Sequence, residues 1–157
     1  MKKHRLIGLV LVIALMLWSL SEITTSNHVP TNISVNPAIT MVLLKHGFVR
    51  DPTNDYHCDN QCQMYLHTNP AMTAGIYKND AVLICFNCKA GAATVSGTEE
   101  AKLLMAVLEE LYPPGIATWI GSNMDTAWLG DEYKISEGHE IKVHVEKEAF
   151  CLLITPL

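Results

Sequence analysis

Residues 139–155 read HEIKVHVEKEAFCLLIT, and this stretch decides the fold. Ile141, Val143 and Val145 alternate with Glu140, Lys142, His144 and Glu146. A period of two buries one side of a strand and wets the other. Phe150–Thr155 then reads as a continuous apolar strand, so the end of the chain is sheet. Moving upstream, Ser96 followed by Glu99 has the spacing of a capping box, with a helix behind it. Leu103, Leu104, Val107, Leu108 and Leu111 make its apolar face, and Pro113-Pro114-Gly115 ends it.

The remaining elements follow from punctuation. Asn36 as cap, Pro37 in the first turn and Gly47 as a stop predict a helix over Ala38–His46. A short helix is expected from Asn60 to His67, capped by Asp59 and ended by Asn69-Pro70. Thr73–Tyr77 and Ala81–Phe86 flank Lys78-Asn79-Asp80 as a hairpin. Ala92–Val95, Ile116–Ile120 and Thr126–Leu129 read as further short strands. The sum is a single small α+β domain over residues 37–157, an antiparallel sheet with two to three helices.

Ahead of that domain stands a hydrophobic segment. Lys2, Lys3 and Arg5 precede an uncharged run, Leu6–Leu20, of 15 residues. A basic start followed by ~7–15 apolar residues is the pattern of a secretory signal. Residues 1–21 are therefore expected to be a signal peptide or an N-terminal membrane anchor, with the charges kept cytoplasmic. Residues 22–36, polar and rich in Ser, Thr and Asn, read as a tether. The rest is expected to be exported, periplasmic or extracellular, or held at the inner membrane by an uncleaved segment.

At 157 residues, 49% hydrophobic and 17% charged, the chain can bury a core. Three of its 11 cations lie before Leu6 and none of its 16 acids precedes Glu22, so the exported part carries 8 basic and 16 acidic residues. That balance excludes a phosphate-binding surface and with it a nucleic-acid partner.

Five cysteines carry what chemistry the sequence suggests: Cys58, Cys62, Cys85, Cys88 and Cys151. In an oxidising compartment structural disulfides among Cys58, Cys62, Cys85 and Cys88 are the first expectation. With Asn60–His67 helical, links from the 58–62 loop to the 85–88 turn are preferred, and Cys151 is left as a small buried hydrophobe. Three other readings compete. The C-x3-C and C-x2-C pairs could complete a four-sulfur zinc site, and residues 84–91, ICFNCKAG, resemble a zinc knuckle. Val82-Leu83-Ile84 running into Cys85-Phe86-Asn87-Cys88-Lys89 is similar to thioredoxin, whose motif implies thiol–disulfide exchange. Gly91 follows at once where that chemistry needs a helix. Lys89 stands where covalent haem attachment requires His.

No Gly-rich phosphate loop, G-x-S-x-G or H-E-x-x-H is present, so neither a catalytic residue nor a cofactor is expected. His139, His144, Glu140 and Glu146 read as a solvated sheet face, and Tyr112, Trp119 and Trp128 as core fillers. The sequence thus predicts a non-catalytic protein-interaction domain with a protein partner in the cell envelope. Accessory subunits of pilus, secretion or phage-encoded assemblies have this organisation. The alternative is a small redox or zinc-binding protein using the two cysteine pairs.

Overall fold

The structure, a computed structural model, describes residues 33–58, 61–88, 95–125, 132–146 and 149–157, without the side chains of Tyr56, His57 and Glu146. The expected signal or anchor, most of the tether and the strand at Thr126–Leu129 lie outside the described residues. Among the described residues, no helix is long and apolar enough to cross a membrane.

Helix α1 (Pro37–Lys45) starts where the punctuation placed it, with Asn36 Oδ1 accepting the Ala38 N–H at 3.0 Å. Strand β1 (Val49–Arg50) and a 3-10 turn (Pro52–Cys58) lead into β2 (Cys62–Thr68), β3 (Ala71–Tyr77) and β4 (Val82–Asn87). Helices α2 (Glu99–Leu111) and α3 (Pro114–Asn123) follow. The chain closes with β5 (Glu132–Ser136), β6 (His139–Glu146) and β7 (Ala149–Pro156). The result is a small α+β domain with one seven-stranded antiparallel sheet, ordered β1-β2-β3-β4-β7-β6-β5. Two meanders therefore meet at the β4–β7 seam, the first ending in β4 and the second in β7.

Register sorts the side chains onto two faces. Across the sheet, Ala74 opposes Ile84, Ile84 opposes Leu152, and Leu152 opposes Val143. The neighbouring row is Ile76, Val82, Ile154 and Ile141. These residues are buried with Leu43, Leu104, Val107, Leu108, Ile116 and Ile120 of the helices, so this face carries the core. Phe86 and Phe150 stack beneath it at 4.9 Å. Each such side chain contributes about 1.5–3 kcal/mol by leaving water.

Three local expectations are corrected. The helix expected over Asn60–His67 is, from Cys62 on, a strand: Cys62–Thr68 is β2, paired with β1 and β3 over a buried Tyr65, and Asn69-Pro70 is the hairpin turn. Ile116–Ile120 belongs to α3, because Ile116, Ala117 and Ile120 are all buried at a spacing that only a helix places on one face. The cap of α2 is Thr98, whose Oγ1 accepts the Ala101 N–H at 3.1 Å. Ser96 instead donates to Asp125, from its N–H at 2.9 Å and its hydroxyl at 2.7 Å.

The last tether residues pack against the domain. Ile33 is buried, and the Gln63 side-chain amide donates to its carbonyl at 2.6 Å.

Candidate functional site

The cysteines lead to the sheet face opposite the helices. Cys85 on β4 lies directly across from Cys151 on β7, and the two are joined in a disulfide. Cys58 and Cys62 form a second bridge that ties the 3-10 turn to the start of β2. Cys88 is buried in the core and belongs to neither.

This pairing differs from the links expected between the 58–62 loop and the 85–88 turn. Side chains three residues apart on a strand point to opposite faces. Cys85 accordingly faces away from the helices while Cys88 joins the core beneath them. On the other side, Gln61 N–H donates to the Cys58 carbonyl at 2.8 Å, a tight turn that brings Cys58 and Cys62 within 5.9 Å at Cα. The four-thiolate arrangement zinc would need is not formed, since Cys58 and Cys62 bridge each other and Cys85 bridges Cys151. Among the described residues, no three His, Cys, Asp or Glu side chains converge as a metal site.

Around the seam disulfide the register builds an apolar band. One row runs Leu66, Thr73, Cys85, Cys151, His144. The next runs Met64, Gly75, Leu83, Leu153, Lys142, Tyr133. The 3-10 turn shelters the Cys62 and Met64 end, and its Asp55 is the one buried charge among the described residues. Asp55 accepts from Arg50 Nη1 at 2.8 Å and from the Met64 N–H at 2.9 Å.

Elsewhere on this face two shallow concavities border the bridge. One, of ≈ 380 Å³, includes Leu66, Thr73 and Cys85. The other, of ≈ 530 Å³, includes Leu83, Cys151, Leu153, Tyr133, Lys142 and His144. Lys142 Nζ sits 5.8 Å over the Tyr133 ring and 3.1 Å from Glu140. Partial desolvation, then the Glu140 carboxylate, hold the Tyr133 phenol above the usual tyrosine range.

A third concavity, ≈ 330 Å³, lies below α1 between Asn36, Asp80, Glu110, Tyr112 and His139. Its polar groups largely answer one another. Lys45 Nζ donates to Glu110 at 2.9 Å and His46 Nε2 lies 2.8 Å from the same carboxylate, holding that carboxyl below its usual range. Tyr112 meets His139 edge-on at 5.3 Å. Burial first, and the charge of Asp80 second, push the Tyr112 phenol well above the usual tyrosine range.

Of the residues singled out from sequence, His139 and His144 are separated, one beside Tyr112 and one beside Cys151. Cys151 is the partner that spacing missed; only its register against β4 identifies it.

No protein-family model matches this chain, and no curated protein or solved structure shows significant similarity to it.

Proposed function

We propose that this chain is an exported, membrane-targeted domain that acts by contact with a protein partner in the cell envelope, as an accessory subunit of an envelope assembly. The observation that carries the reading is the apolar band on the face away from the helices, where Leu66, Leu83 and Leu153 surround the Cys85–Cys151 bridge. A contiguous apolar patch is a surface that association covers. The bridge stiffens its floor, so little conformational freedom is lost when a partner docks. Two disulfides accord with the oxidising side of a membrane.

The test uses the full chain in bacterial cells. Intact mass with alkylation, before and after reduction, should show one alkylatable thiol rising to five. A photo-reactive residue at Leu153 should yield one discrete protein adduct of reproducible mass. The same group at Thr118, exposed on α3, should yield none. Leu83→Glu should abolish the Leu153 adduct. Equal adducts from both faces, or five free thiols, would overturn the reading.

A redox role is favoured by one observation, that each half of the bridge lines a concavity, Cys85 the first and Cys151 the second. It predicts that glutathione forms a mixed disulfide at Cys85 or Cys151 while Cys58–Cys62 stays closed.

A further inference from the structure

Strand β5 ends the sheet. Its inner side is paired with β6 from Glu132↔Val143 to Ser136↔His139, and among the described residues nothing pairs with its outer side. The other edge, β1, is two residues long and runs into the 3-10 turn, so it offers little template.

The turn between β5 and β6 shows which backbone groups of β5 point outward. Glu137 and Gly138 both have positive φ, 51° and 78°, as in a two-residue type I′ hairpin. The flanking pair Ser136–His139 is then a hydrogen-bonded pair, and such pairs alternate along the strands. Lys134 and Glu132 therefore spend their backbone groups on β6, while Tyr133 and Ile135 present theirs to the free edge. Tyr133 and Ile135 are also 54% and 58% exposed, large apolar side chains on a strand that natural edges usually blunt.

We infer that β5 pairs antiparallel with β5 of a second copy of this chain, about a two-fold axis through Tyr133, making one continuous sheet across the dimer. Symmetry and charge select both the occupant and the register. An axis between two residues would oppose the helix-side face of one copy to the open face of the other, which the pleat forbids. An axis through Lys134 sets Lys134 against Lys134 of the partner subunit, one through Glu132 does the same with two acids, and one through Ile135 sets Lys134 against Ser136 of the partner subunit and pairs no opposite charges. With the axis at Tyr133, Glu132 of each copy faces Lys134 of the partner subunit, and the two phenol rings meet on the open face. A strand of unrelated sequence has no reason to supply that charge order; a second copy supplies it by symmetry. Tyr133 also lines the concavity beside Leu83 and Leu153, so the two surfaces adjoin; the edge pairing is read from cross-linking at position 133 and the contact reading from the Leu153 adduct, so each fails on its own measurement.

Residues directly opposite across hydrogen-bonded antiparallel strands are about 5.5 Å apart at Cα, within disulfide reach. Tyr133→Cys in the full chain should therefore run mostly as a dimer on a non-reducing gel after mild oxidation. Ile135→Cys and Ser136→Cys, displaced from the axis, should stay mostly monomeric. In the Tyr133→Cys background, Glu132→Lys or Lys134→Glu alone should lower the dimer fraction several-fold. The two reversals together should restore it, although Lys134 then no longer lies over the Trp119 ring. Thermal melts of each variant confirm that the domain is folded. No Tyr133→Cys dimer, equal dimers at all three positions, or no rescue by the double reversal would each overturn the inference.

Discussion

The seam bridge should hold far more of this domain's stability than the bridge in the loop. Cys85–Cys151 has a sequence separation of 66, enclosing α2, α3, β5 and β6, whereas Cys58–Cys62 has a separation of 4. In the chain-entropy description a cross-link removes 2.1 + 1.5R ln n cal/mol/K from the unfolded state, about 4.4 kcal/mol at 25 °C for the long loop and about 1.9 for the short one. Cys85→Ala/Cys151→Ala should therefore destabilise by about 4 kcal/mol and Cys58→Ala/Cys62→Ala by about 2. At about 2.1 cal/mol/K per residue over the domain, these become losses of roughly 17 and 7 °C in Tm.

Urea unfolding followed by circular dichroism measures the difference. The comparison should be made on the extrapolated free energy, because an unlinked denatured chain exposes more surface and raises the slope. Single variants separate the pairings. If the bridges ran from the 58–62 loop to the 85–88 turn, Cys151→Ala would be nearly silent and Cys88→Ala would open a bridge. The structure predicts the reverse for thiol counts: Cys151→Ala frees Cys85, and Cys88→Ala leaves both bridges closed. Equal losses for the two double variants, or a larger loss for the short loop, would refute the seam bridge as the principal staple.

Three further outcomes are expected. Leu104→Ala, at a fully buried position of α2, should cost about 2–5 kcal/mol in urea unfolding. Asp55→Ala removes the carboxylate paired with Arg50 and leaves the Met64 N–H without its acceptor; Arg50 is 27% exposed and keeps its bond to the Met64 carbonyl, so the loss should fall near the lower end of about 3–5 kcal/mol. The Tyr112 phenol is held neutral by burial and by Asp80, so its folded value lies above its unfolded one. Its contribution is present below about pH 10 and is lost as pH climbs toward the folded value. Tyr112→Phe should accordingly flatten the alkaline fall in unfolding free energy, and an unchanged slope would place the phenol in water.

Elements whose apolar residues face the core were legible, because burial writes its own period into them. β6 is the clearest, with Ile141 and Val143 buried between exposed Lys142 and His144. α1 carried its cap and stop as well as a face, whereas α2 carried its face and its stop while its cap fell on Thr98 and not on Ser96. β2 was misread because Cys62–His67 is too short for period to separate helix from strand; its pairing with β1 and β3 decided the outcome. Ile116–Ile120 failed for the same reason in the other direction, as five apolar-rich residues fit a strand until the helical burial of Ile116 and Ile120 is seen. β5 announces itself least, since its apolar side chains, Tyr133 and Ile135, lie on the exposed side.

The candidate site was legible in its parts and hidden in its assembly. The strand read over Ala81–Phe86 stops short of Cys88, so nothing in the spacing told that Cys85 would face away from the helices while Cys88 joins the core. Nothing local says that Cys85 meets Cys151, because that contact exists only where the last strand of one meander joins the last strand of the other. That is also where a covalent link has most effect: the seam closes the longest loop of the sheet, and the hairpins on either side close themselves through short turns. The cysteine that composition made look surplus thus sits at the one strand pair whose formation costs the chain most entropy. The same placement puts a fixed, half-buried bridge at the middle of the open face, with Leu83 and Leu153 directly beside it in register. Stability and the proposed contact surface therefore depend on one pair of residues, and reducing Cys85–Cys151 should loosen both together while leaving the β5 edge paired to β6.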